Sequence, residues 1–257
     1  MITLTSDFGL KDPYVAEMKG VILNINPKAT LIDITHNVEK FNIRLASFML
    51  ASAAPYFPKG TVHLAVVDPG VGTERRPILV QTSKGFFVGP DNGVLMVAAQ
   101  SQGIEHVHEL LNPNLMVPET SDTFHGRDIF APAAAYLDKG VKPHEFGPEI
   151  KNPILPQFSI VEQINGVLAC EVLHIDSFGN IVTNITEKSL PNSLIFNVKL
   201  SHVALKLKFG KTYAEVAPKE PIILVGSHGF VEIAINQGSA ADKFKVNLGD
   251  KITVKTS

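Results

Sequence analysis

Three short polar clusters carry the residue types that can do chemistry in this chain. The first is Thr5-Ser6-Asp7-Phe8-Gly9. A carboxylate at Asp7 can accept hydrogen bonds from two vicinal hydroxyls, the usual protein grip on a ribose, although Asp-x-Gly is also a common turn. The second is Asp68-Pro69-Gly70-Val71-Gly72-Thr73-Glu74-Arg75-Arg76. Its proline and glycines fix a turn and let backbone approach a ligand closely. Asp68 can orient a water or hold a sugar hydroxyl, and Arg75 can neutralise it. A solvated loop with paired charges accounts for the same residues. The third is Thr123-Phe124-His125-Gly126-Arg127-Asp128. His125 can hydrogen-bond a nucleophilic water. Asp128 reads as the N-cap of the following helix, with Arg127 paired either to it or to Asp68.

Two further polar strings interrupt apolar runs in the C-terminal half: His174-Ile175-Asp176-Ser177-Phe178-Gly179-Asn180 and Gly226-Ser227-His228-Gly229. Each reads as a hairpin turn, and the two together also read as one wall of a pocket. The Asp68 loop lacks the Gly-Lys-Ser/Thr ending of a phosphate-binding loop, and no HExxH or Cys/His zinc spacing appears. His106 and His108 project to one face of a strand, which partial exposure explains more simply than metal. No Gly-x-Ser-x-Gly elbow is present. The single cysteine, Cys170, lies in an apolar run and reads as a buried, inert thiol.

The elements that must position these residues alternate in the first part of the chain. Ile2–Thr5 reads as a buried strand, and Asp12-Pro13 as an N-cap with proline at the first helical position. Val15, Met18, Val21, Ile22 and Ile25 then follow at helical spacing. Further strands are expected over 30–34, 61–67, 78–81 and 86–88, and helices near 43–53, 93–100 and 129–137. Strands separated by helices imply an α/β domain with a mostly parallel sheet, in which ligands bind at the carboxyl ends of strands. Prolines at 143, 148, 153 and 156 mark a linker. Beyond it only short strands are expected: 158–163, 167–174, 181–185, 194–200, 203–209, 222–225, 230–235 and 252–255. Asn165-Gly166 signals a hairpin. The expectation is an N-terminal α/β domain, residues 1–155, followed by a smaller all-β barrel, residues 156–257.

The 257 residues are 45% hydrophobic and 19% charged, which excludes global disorder. A formal charge of −2 gives no footprint for nucleic acid. No apolar run approaches the ~18 residues of a membrane span, and the N-terminus lacks the charge and apolar pattern of a signal peptide. A cytoplasmic protein with small-molecule partners, or copies of itself, is expected.

Six strings, in order, carry a family resemblance: TSDFGLKDPYVAEMKG, DPGVGTERR, GPDNG, FHGRD, HIDSFGNIVTNI and GSHGFVEIAINQGSA. Together they resemble the S-adenosyl-L-methionine hydroxide adenosyltransferases, relatives of the fluorinating and chlorinating enzymes that use the same substrate. The resemblance runs from about Thr5 to Ser239 and implies an α/β domain joined to a β-barrel. It implies hydrolysis of S-adenosyl-L-methionine to adenosine and methionine by attack on ribose C5′, with no cofactor and no metal. It also implies a homotrimer whose sites form between subunits. By motif the catalytic set falls on Asp68, Arg75 and His125, with Arg76 the adjacent alternative. Asp7 falls on the ribose-holding carboxylate, Asp176 on the group facing the methionine amine, and Asn180 on one that reads adenine. Ser227, Glu232 and Ile235 fall where methionine or adenine is contacted, and Tyr213 where a ring packs on the substrate. In the halogenating relatives a Tyr stands where Asp68 falls and a serine where Gly126 falls, so both positions favour water over halide. The competing readings are a halogenase, a non-catalytic nucleoside-binding module and a metal-dependent nucleotide hydrolase.

Overall fold

The computed structural model describes residues 1–200 and 203–257. They fall into two compact units, Met1–Pro156 and Gln157–Ser257.

The first unit is built on a six-stranded sheet ordered β2-β1-β3-β5-β4-β6. The strands are β1 (Ile2–Ser6), β2 (Leu31–Thr35), β3 (Val62–Val66), β4 (Pro77–Thr82), β5 (Phe86–Pro90) and β6 (Ile104–Glu109). The pairs β1–β2, β1–β3 and β3–β5 are parallel, while β4 pairs antiparallel with β5 and β6. Every residue of β1 and β3 is buried, as expected for central strands covered on both faces. The covering helices are α1 (Tyr14–Ile25), α2 (Ile43–Ala53), α3 (Met96–Ser101) and α4 (Ala131–Asp138). Helix α1 buries Val15, Met18 and Ile22, one stripe at helical spacing. Small alanines in α4 let it lie close among Ile2, Leu4, Leu64 and Phe130 in the core. Ser6 stands opposite Val66 in the β1–β3 register, so both strands release their chains toward Asp7 and Asp68 at the same carboxyl end of the sheet.

Local details depart from expectation. Pro13, not Asp12, is the residue preceding α1, and no side chain caps that helix. The helix expected from 93 starts at Met96. The helix expected from 129 is preceded by a π turn, Gly126–Phe130, leading directly out of His125.

The second unit is an antiparallel sheet running β11-β10-β14-β8-β9-β13-β12, with β7 paired to β8. Its strands are β7 (Glu162–Ile164), β8 (Val167–Ile175), β9 (Ile181–Thr186), β10 (Ile195–Lys199), β11 (Ala204–Lys208), β12 (Pro221–Val225), β13 (Phe230–Ile235) and β14 (Lys251–Thr256). A bridge between Phe209 and Ile223 brings the two ends together, which nearly closes a barrel. Asn165 (φ 51) and Gly166 (φ 76) make the two-residue turn between β7 and β8; two positive φ values match the strand twist. Two expectations fail. Residues 157–159 form a 3₁₀ turn where a strand was expected, and a short helix, α5 (Ala240–Phe244), interrupts the all-β pattern with Ser239 as its cap. Cys170 is buried, and desolvation pushes its thiol up to about 12, leaving it inert.

Candidate active site

Chain leaving β1 and β3 and the π turn before α4 line one cavity of about 390 Å³ in the first unit. Asp7, Asp68 and His125 all face it, together with Phe8, Tyr14, Lys40, Phe41 and Phe124. Phe124 packs edge to face on Phe8 and Tyr14, which are tilted against each other, with centroids 5.2–5.6 Å apart, forming an apolar wall. Asp7 is 6% exposed, and its Oδ2 accepts the Phe41 N–H at 2.8 Å. The Lys40 ammonium donates to the Asp7 carbonyl at 2.5 Å.

Arg75 is the hub of the second group. Its Nε lies 2.9 Å from both Asp68 oxygens, and its Nη2 is 2.5 Å from Oδ2. The same Nη2 donates to His125 Nδ1 at 2.7 Å. A guanidinium is donor-only, so Nδ1 carries no proton and the neutral ring holds its hydrogen on Nε2. Burial first, and the Arg75 charge second, hold His125 below its ordinary pKa against the opposing carboxylates of Asp68, Asp128 and Asp122. The array therefore presents a carboxylate acceptor and an imidazole N–H donor side by side, with one cation behind both.

The turn chemistry explains how residues seven and fifty apart converge. Gly72 has φ +76, and a Cβ there would sit 2.5 Å from the Asp122 carbonyl. Only glycine lets the Asp68 loop lie against the turn leading to His125. A Cβ on Gly126 would meet Phe124, Met18 and Val66 at 3.1–3.4 Å. Arg76 turns the other way: it bonds Asp91 at 2.9 and 2.5 Å and reaches both Asn152 oxygens. Arg75, not Arg76, faces the cavity group. Asp128 is not an N-cap. It lies fully buried inside the π turn, accepts the Ser121 N–H at 2.9 Å, and pairs with Arg127, which also reaches Glu17 but not Asp68.

The second unit has its own cavity, of about 750 Å³, lined by Asp176, Asn180, Tyr213, Ser227, Glu232 and Ile235. Asp176 Oδ1 accepts the Phe178 and Asn180 N–H groups, and Oδ2 accepts Asn180 Nδ2, all at 2.9 Å. Glu232, 2% exposed, accepts the Tyr213 hydroxyl at 2.6 Å and lies 3.1 Å from His228 Nε2. Burial and then Glu232 raise the Tyr213 pKa, keeping the phenol protonated. His228 Nδ1 accepts the Phe230 N–H at 3.2 Å, so Nε2–H is the donor toward Glu232.

Each sequence-predicted site residue thus falls in one of two groups: Asp7, Asp68, Arg75 and His125 in the first unit, and the remaining six in the second. The residues not anticipated are Lys40, Phe41, His228 and the aromatic wall. His228 sits within a string whose chemistry was already noted. Phe41 (φ 65, 68% exposed) has no sequence signal, because nothing local forces an aromatic into the left-handed region.

Among the described residues, no group of three or more His, Cys, Asp or Glu is placed to hold a metal ion, and no helix is long and apolar enough to cross a membrane. Residues 2–147 match the SAM hydroxide adenosyltransferase N-terminal domain, and 170–253 its C-terminal domain. An (R)-S-adenosyl-L-methionine hydrolase from Salinispora tropica is 40% identical, covering 98% of this chain and 97% of that protein. A fluorinase from an Actinoplanes species is 25% identical over 99% of this chain and 97% of its own. The crystal structure of an uncharacterized conserved protein from Thermotoga maritima superposes with a TM-score of 0.85 at 40% identity, over 99% of this chain and all of the other. With both domains matched in order and a relative at 40% identity along nearly its full length, this chain belongs to the SAM hydroxide adenosyltransferase family.

Proposed function

We propose that the protein hydrolyses S-adenosyl-L-methionine to adenosine and L-methionine by in-line attack of water on ribose C5′. The new bond joins the water oxygen to C5′. The C5′–S bond breaks with its electron pair going to sulfur, and one proton leaves the attacking water. A sulfonium departs as a neutral thioether, so no general acid is needed, and the task is chiefly placement and desolvation.

The observation that carries this reading is the Asp68–Arg75–His125 array. Arg75 makes three contacts to a carboxylate that offers roughly four lone-pair directions. The remaining one accepts an O–H of the attacking water, and His125 Nε2–H donates to the water oxygen. The water is thereby held at two points with a lone pair free for carbon. Its proton passes toward Asp68 as the bond forms, the ordinary contribution of a positioned base. Asp7 grips the ribose diol. In the C-terminal cavity, Asp176 meets the amine, Asn180 reads adenine, and Tyr213 packs on the substrate. Ser227, Glu232 and Ile235 complete the wall.

A halide nucleophile is disfavoured by the same carboxylate, which repels an anion and raises the cost of stripping its water. A binding-only module would not need a carboxylate, guanidinium and imidazole in contact. We further propose a homotrimer in which the N-terminal cavity of one protomer and the C-terminal cavity of a neighbour contribute to each site. A cytoplasmic location fits a chain with one buried thiol and no disulfide. The relatives named for the (R) sulfonium epimer motivate the same preference here.

The test is incubation of purified protein with each sulfonium epimer in ¹⁸O-water, with chromatography and mass spectrometry. Adenosine carrying ¹⁸O at the 5′ oxygen is expected, undiminished by a chelator and without 5′-chloroadenosine in chloride buffer. Absence of adenosine, or unlabelled adenosine, refutes the reaction. Chelator sensitivity would transfer it to the metal-dependent class.

A further inference from the structure

The loop that carries Asp7 has no regular structure of its own. Strand β1 ends at Ser6, and Gly9 already has φ +71. What holds it is the segment after β2. Gly9 N–H donates to the His36 carbonyl at 2.7 Å, and Val38 N–H reaches the Ser6 carbonyl at 3.4 Å. The His36 side chain adds a second tie, with Nδ1 2.7 Å from the Ser6 hydroxyl. That hydroxyl also accepts the Phe8 N–H at 3.3 Å.

The ring is 4% exposed, and its other nitrogen, Nε2, lies 3.1 Å from Asp33 Oδ1, an ionic contact that is not aligned as a hydrogen bond. Asp33 is itself held by Lys19, whose Nζ donates to Oδ2 at 2.6 Å. The nearby Asp33 charge favours the proton on Nε2, and Ser6 Oγ already accepts the Phe8 N–H, so Nδ1 is the acceptor and takes the Ser6 O–H. Polarity then runs one way, from Phe8 N–H to Ser6 Oγ and from Ser6 O–H to His36 Nδ1, with the charge of Asp33 on the far side of the ring. The residues tied are those immediately before and after Asp7. Five positions beyond His36, the same segment supplies Phe41 N–H to Asp7 Oδ2. The residue types are those of a hydrolytic triad, but Ser6 is 0% exposed and no substrate carbonyl can reach it.

We propose that His36 is a positioning residue, which through Ser6 and its own carbonyl sets the Asp7 carboxylate for the ribose diol. The proposal rests on the reading of Asp7 as the diol-binding group and adds what orients it. Nothing about His36 touches the reacting atoms, so its effect belongs in substrate selectivity, not in the chemical step.

The experiment compares S-adenosyl-L-methionine with its 2′-deoxy analogue in the wild type, His36→Leu, His36→Asn and Asp7→Ala, and in the Asp7→Ala/His36→Leu pair. Losing the aim of one charge-assisted hydrogen bond predicts about a tenfold rise in KM for the parent substrate. The analogue should change by less than about twofold, and kcat should hold. Asparagine, which keeps an oxygen near Nδ1, should recover most of the loss. Leucine added to Asp7→Ala should cost nothing more. Nitrogen-15 shifts of the wild-type ring, measured independently of any variant, should show Nδ1 unprotonated. A protonated Nδ1, or equal losses for both substrates that add to Asp7→Ala, overturns the proposal. If Asp7→Ala itself fails to distinguish the two substrates, the diol reading falls, and with it the purpose assigned to His36.

Discussion

Replacing Asp68 with asparagine is the sharpest perturbation, because shape is kept while charge and acceptor number change. Arg75 presents Nε and Nη2 to this side chain at 2.9 and 2.5 Å. An amide offers one acceptor oxygen and an NH₂ that opposes a donor. The side chains of Asp68 and Arg75 are only 5% and 9% exposed, so the guanidinium is left with an uncompensated charge away from water. Breaking one side of such a buried pair costs about 3–5 kcal/mol of stability. At roughly 2–4 °C per kcal/mol for a chain of this size, that lowers Tm by roughly 6–20 °C. On the proposed mechanism the rate suffers separately, since the carboxylate that takes the water proton is gone. A positioned acid–base group is worth about 10²–10⁴ in kcat, or roughly 3–5 kcal/mol at 1.36 kcal/mol per tenfold. The assay is adenosine release at saturating substrate and at a temperature where circular dichroism shows the variant folded. A folded Asp68→Asn enzyme within about threefold of the wild-type kcat would refute the role given to the carboxylate.

The pH dependence follows from His125. Its pKa is lowered by burial and by Arg75, so the neutral ring persists below the ordinary histidine range. The array's contribution to activity and stability is present above the unfolded value near 6.5 and is lost as pH falls through the lower folded value. A pH–rate profile should show its acid limb below 6.5, and an acid limb above that value contradicts the neutral ring assigned to His125. Gly72→Ala forces a side chain onto φ +76 and into the Asp122 carbonyl at 2.5 Å. Denaturant unfolding should show a loss of more than about 1 kcal/mol, accompanied by a fall in kcat as His125 moves. Glu232→Gln turns an NH₂ toward one of its two donors, Tyr213 and His228. Steady-state kinetics should show KM raised about tenfold with kcat nearly unchanged, the pattern of lost ground-state binding. A kcat effect alone would place Glu232 in the chemistry instead.

Much of this molecule is legible from local sequence because the relevant physics is local. Buried apolar runs such as 62–66 make central strands whatever surrounds them, and Asn165-Gly166 dictates a two-residue turn through its own backbone freedom. The same locality put Asp7, Asp68 and His125 at strand ends and a helix start. It failed where distant partners decide. Asp128 has the type and place of a helix cap, yet Arg127 and Ser121 draw it inside the π turn. Adjacent arginines 75 and 76 are equivalent as letters. They separate only because Asp68 and His125 lie on one side of the loop, and Asp91 and Asn152 on the other. The proton on His125 Nε2, the left-handed Phe41 and the His36 tie to Ser6 likewise depend on groups brought together by folding. Residue type and spacing determined which chemistry was available. The tertiary structure decided which nitrogen holds the hydrogen and which cation stands behind it, because hydrogen-bond direction and charge pairing depend on distances that the order of residues does not contain.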